Sequence, residues 1–169
     1  TPVLYRIADA TAGSNQLALR ISPALLHGID VVLVALLAKQ LGGSTRAQVI
    51  AATVVALAPI VLTTSHFLGT VTPELTLGAG LALVLVRLVY GGDPRLWLLV
   101  GLLVGLGLLN KWTFSVVVAG LALGLLLDHR DVLATPWLAA GVAVAVLLVA
   151  PNVLWQASHG WPQLEFAGT

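Results

Sequence analysis

The stretch from Leu96 to Leu127, LWLLVGLLVGLGLLNKWTFSVVVAGLALGLLL, contains one charged residue, Lys111. As a single straight α-helix it would rise about 48 Å, far beyond a hydrocarbon core of about 30 Å. The chain is therefore expected to turn back or bend within it. The polar cluster Asn110-Lys111-Trp112-Thr113 marks the place, leaving two short apolar spans, 96–109 and 114–127. Working outward from there, the same alternation of apolar run and polar break recurs. An apolar run from Pro23 to Leu41, interrupted by His27, Asp30 and Lys39, ends in the breaker pair Gly42-Gly43. A second, residues 47–65, carries Pro59 where a kink is expected. A third, residues 75–90, is closed by Gly91-Gly92-Asp93-Pro94, and a last one runs from Trp137 to Leu154 after the loop Asp128-His129-Arg130-Asp131. The expected architecture is an all-α, polytopic transmembrane bundle of about six spanning helices, with amphipathic juxtamembrane segments.

Composition agrees with that reading. Of 169 residues, 59% are hydrophobic and 9% charged, with a mean hydropathy of +1.01. A soluble domain needs roughly a quarter of its residues charged to clothe its surface. Disorder, collagen, coiled coil and disulfide scaffold are excluded by the same figures, and a formal charge of +1 gives no basic field for nucleic acid. Without cysteine there is no thiol nucleophile and no Cys-based zinc site. The sequence holds no methionine and opens without a secretory signal, so it reads as an excised piece of a larger membrane domain. Three regions follow: 1–22 as an outer juxtamembrane segment, 23–155 as the helical bundle, and 156–169 as a truncated, tryptophan-bearing interfacial tail. Small residues at Gly101 and Gly105, and again at Gly120 and Gly124, are spaced to let helices approach closely.

With six spans and the amino terminus outside, Lys39, Arg46, Arg87, Arg95 and Arg130 fall inside, and Arg6, Arg20 and Lys111 fall outside, in accord with the positive-inside rule. Most of the unusual polar residues then gather at the outer face. Arg20, His27 and Asp30 lie within about 80° of one another on a helix. A charge at membrane depth should face protein and find a partner, most simply His27 for Asp30. The pair reads either as packing glue or as part of a relay or cavity. Thr72-Pro73-Glu74 reads as a helix start, threonine N-cap, proline N1 and a carboxylate in the first turn. Glu74 and His66 are alternatively ligands for a polar substrate group, although two residues are too few to define a metal site. Lys111 either snorkels near a helix C-terminus or neutralises a lipid phosphate. Trp155, His159 and Trp161 read as headgroup anchors.

Taken in order, LALRISPALLHGIDVVLVALLAKQLGG (17–43), TVTPELTL (70–77), GLLVGLGLLNKWTFSVVVAGLALGLLL (101–127) and APNVLWQASHGWPQLEF (150–166) resemble the membrane domain of family-39 glycosyltransferases. These are the dolichyl-phosphate-mannose protein mannosyltransferases and their bacterial relatives, including the lipid A aminoarabinose transferases. The resemblance implies a GT-C fold and a multi-pass enzyme, expected in a bacterial plasma membrane. It would transfer a sugar from a polyprenyl-phosphate carrier to an acceptor protein or glycolipid on the extracytoplasmic side. It also implies that the catalytic acid lies in an outer loop upstream of Thr1, so that this piece alone would be inactive. By the same resemblance Glu74 matches an acidic residue lining the cavity, Lys111 a lysine near carrier phosphate, and Arg20 the arginine before the family's second helix. No cofactor beyond the lipid-linked donor is expected, and metal dependence is left open. The rival readings are a transporter or carrier module built around Asp30 and His27, and a structural scaffold.

Overall fold

The computed structural model describes residues 16–64 and 69–163, with side chains from residue 21 onward. Among the described residues the chain is helical and has no strand. The elements are α1 (Gln16–Gln40), α2 (Thr45–Leu57), α3 (Pro59–Thr64), α4 (Val71–Val89), α5 (Leu96–Asn110), α6 (Phe114–Asp128), α7 (Arg130–Leu133) and α8 (Pro136–Ser158). Among the described residues three stretches, Ile21–Gln40, Val71–Val89 and Pro136–Ser158, are long and apolar enough to cross a bilayer. Helices α2, α5 and α6 are apolar but shorter, at 13, 15 and 15 residues. Fifteen residues rise about 22 Å, short of a core of about 30 Å. The expected six spans thus resolve into three long helices and three short ones.

Local chemistry accounts for where the breaks fall. The run 47–65 is broken outright, because a residue before proline is pushed out of the helical region. Ala58 is extended (φ −62°, ψ 121°), and its carbonyl starts the next helix by accepting from Val61 and Leu62. Helices α1 and α4 end in the same way. The Gly43 amide donates to the Ala38 carbonyl at 2.8 Å and the Gly42 amide to Lys39 at 3.0 Å; Gly92 to Arg87 and Gly91 to Leu88 repeat the motif at 2.8 and 3.1 Å. Gly42 and Gly91 take φ of +85° and +84°, the left-handed turn that satisfies otherwise orphaned carbonyls. Two expected boundaries differ. Helix α1 begins upstream of Pro23, so residues 16–22 continue into the span, and α8 runs on to Ser158.

The core lies where α4, α5 and α6 meet, around Leu81, Leu85, Leu88, Trp97, Val100 and Phe114, with Leu81 1% and Phe114 0% exposed. Elsewhere large apolar side chains such as Leu25, Ile50, Val116 and Leu147 face outward, as a surface solvated by lipid allows. Helix α5 packs chiefly on α8, and α1 lies against both α2 and α4. A methyl added at Gly101 would collide with the Gly141 carbonyl, one at Gly141 with the Trp97 carbonyl, and one at Gly105 with Leu148 and Ala145. Residue numbers rise together along both helices, so α5 and α8 are parallel, with α6 and α7 as the crossover. The Gly101–Gly105 face is therefore a helix contact. Gly120 and Gly124 are not: nothing among the described residues lies within 4 Å of a methyl placed on either. The inward stripe of α6 is Phe114, Val118, Leu121 and Leu125, and both glycines sit roughly a quarter to a third of a turn away from it.

Candidate functional site

Alternation of the helices through short turns gathers Lys39, Arg46, Arg87, Arg95 and Arg130 at one end of the bundle and the start of α4 with the α5–α6 turn at the other. At that second end, Glu74 and Lys111 meet across 37 residues of sequence. Lys111 Nζ donates to Glu74 Oε2 at 3.3 Å, and the Thr113 hydroxyl donates to Oε1 at 3.4 Å. Asn110 Nδ2 donates to the Thr70 carbonyl at 2.9 Å, tying the turn to the start of α4. Each charge stands where a helix dipole favours it: Glu74 in the first turn of α4, Lys111 as the C-cap of α5. The pair is open to the surroundings, with side-chain exposures of 42% for Lys111 and 21% for Glu74. An ammonium has three donors, and one of Lys111's is engaged here, which leaves it capacity for an anion at this end of the bundle.

Thr72 does not cap α4 as its pattern suggests. The helix starts at Val71 with Thr70 as N-cap, and Thr72, 1% exposed, donates its hydroxyl to the Thr64 carbonyl at 3.2 Å. The hydroxyl is more useful clamping α3 to α4 than bonding an amide that the first helical turn leaves exposed anyway. Glu74 keeps its expected place in that first turn. Of the other expected site residues, His66 lies outside the described residues. Arg20 lies in the first turns of α1 at the same end of the bundle, its side chain outside those described. Sequence reasoning took Asn110 and Thr113 only as turn formers, and their polarity inside an apolar run was the available signal.

Asp30 faces protein as expected, 3% exposed, but no hydrogen bond joins it to His27. Among the described residues neither of its carboxylate oxygens nor His27 Nδ1 has a hydrogen-bond partner. Thr76, on the facing helix, gives its hydroxyl to the Thr72 carbonyl at 3.1 Å. At the end of α8, Trp155 and His159 stack at 4.4 Å, both exposed. Gln156, 1% exposed, uses one amide nitrogen to reach Asn152 and Gln163, each at 2.9 Å, and so folds the tail back. A wholly apolar cleft of about 330 Å³ opens between α4, α5, α6 and α8, lined by Leu85, Val104, Leu121, Leu125 and Ala145 among others. Among the described residues no three His, Asp or Glu side chains gather where a metal could be held.

An acidic residue at the start of one apolar helix and a lysine closing another, brought together at one end of the bundle, are two of the three positions that the family resemblance singled out, Arg20 being the third. The family model for dolichyl-phosphate-mannose-protein mannosyltransferases matches residues 2–155. The chain belongs to that family. No curated protein and no solved structure matches it. As a member of the mannosyltransferase family it is an integral, multi-pass membrane protein of the glycosyltransferase class, and its helical bundle is consistent with the GT-C architecture.

Proposed function

We propose that this chain forms the donor-binding part of a glycosyltransferase that takes a sugar from a polyprenyl-phosphate carrier and passes it to an acceptor protein or glycolipid on the extracytoplasmic side. The observation that carries this reading is the convergence of Glu74, Lys111 and Thr113 at one mouth of an otherwise apolar bundle. A lipid-linked donor arrives laterally from the bilayer, so its phosphate needs a cation at the interface. When the sugar leaves, negative charge builds on the departing phosphate, and an ammonium held ready there lowers the barrier. The cleft, which lies toward the end of the bundle opposite Lys111, beside Trp97 and Leu133, is apolar enough to take part of an isoprenoid chain. Arg20 and His66 are proposed as further substrate contacts. The reaction also needs a general base to activate the acceptor hydroxyl. In the intact protein, Lys111→Ala is expected to weaken apparent donor affinity about tenfold, the loss of one charge-assisted phosphate contact. Unchanged donor dependence would remove Lys111 from the site.

A further inference from the structure

The cation that the proposed reading gives to the carrier phosphate is engaged by a carboxylate of the same site. Lys111 Nζ lies 3.3 Å from Glu74 Oε2. A phosphate drawn to that ammonium would bring its own negative charge within a few ångströms of Glu74, and like charges so close repel. The pair is also weakly held. It is partly exposed, with 42% of the lysine side chain and 21% of the glutamate accessible, and such ion pairs contribute little. Glu74 has a second anchor that does not involve Lys111, the Thr113 hydroxyl on Oε1 at 3.4 Å, so it can stay in the mouth after losing its cation.

We infer that Glu74 and the carrier phosphate compete for the Lys111 ammonium, so that donor binding breaks the ion pair and frees the Glu74 carboxylate, still tethered by Thr113, to accept hydrogen bonds from sugar or acceptor hydroxyls. Glu74 is thus a self-occupying counter-ion in the resting site and a positioning residue in the loaded one. The order of binding follows: the donor comes first, because only its phosphate exposes the carboxylate. This inference rests on the reading of Lys111 as the phosphate contact and adds a partner exchange to it.

The test uses the intact protein in nanodiscs of zwitterionic lipid, with farnesyl phosphate as probe and farnesol as its uncharged control. Glu74→Gln, which keeps the shape and the bond to Thr113, should tighten farnesyl phosphate binding by about two- to fivefold, the scale of a partly exposed ion pair, and leave farnesol binding unchanged. Lys111→Ala should weaken phosphate binding, and the gain from Glu74→Gln should vanish in the Glu74→Gln, Lys111→Ala double variant. If Lys111→Ala has no effect, the underlying reading fails, and this inference fails with it. If Lys111→Ala weakens binding while Glu74→Gln leaves it unchanged or also weakens it, phosphate binds alongside an intact pair and the competition is wrong. A gain that persists in the double variant would be simple relief of repulsion and would likewise overturn the exchange.

Discussion

Asp30 sits in the middle of α1 against α4, almost fully buried, with no hydrogen bond to either carboxylate oxygen among the described residues. Its sequence context made burial legible, because an acid in an apolar run is too costly to face lipid. The partner was not legible. Spacing of three residues puts His27 one turn away, but whether two side chains meet depends on rotamers that neighbouring helices dictate. A buried carboxyl without a hydrogen bond costs more than an amide that can both donate and accept. Asp30→Asn is therefore expected to be no less stable than the parent, with a gain of up to about 3 kcal/mol, measured as the thermal unfolding midpoint in one detergent. A clear drop would mean that the carboxylate makes a contact the protein needs. At the same scale, Glu74 and Lys111 were each visible in the sequence as candidates, because charges are so rare here. That Thr113 completes them was not, since hydroxyls at a turn have many uses.

Helix contacts follow a different logic, because lipid is as apolar as leucine and burial of apolar surface does not by itself choose partners in a membrane. Close approach chooses them. The two glycine pairs of α5 and α6 look equivalent as patterns, yet one lies under the Gly141 backbone and the other meets nothing among the described residues. Gly101→Ala should destabilise by roughly 1–3 kcal/mol, because the methyl meets a backbone carbonyl that cannot rotate away. Gly120→Ala should be neutral or slightly stabilising, since alanine favours the helix by up to about 1 kcal/mol. Comparing the two midpoints checks the assignment of faces, and equal effects would show that α5 and α8 do not meet at Gly101. The same scale explains Pro59. Proline punctuation told where the run 47–65 would change direction, and the conformation of Ala58 made the kink a break.

For the molecule as a whole, the arrangement places residues 70–74 and 110–113 at one end of the bundle and the turns after α1 and α4 at the other. Residues 1–169 hold no cysteine, so a cysteine introduced here is the one thiol of this part of the protein. In the intact protein, Trp112→Cys and Asp93→Cys are expected to react with an impermeant thiol reagent from opposite sides of the membrane, Trp112→Cys from the outer one. Labelling of both from one side would dissolve the site. The all-helical membrane class was settled by the amino-acid sequence alone: in a solvent without hydrogen-bond partners each apolar run has to satisfy its own backbone, and glycine, proline and charge mark where it may stop. Which helices touch and which polar side chains converge was decided only in three dimensions. The parallel α5–α8 contact and the Glu74–Lys111–Thr113 cluster join residues dozens of positions apart, and close packing, which has no local signature in the chain, is what brings them together.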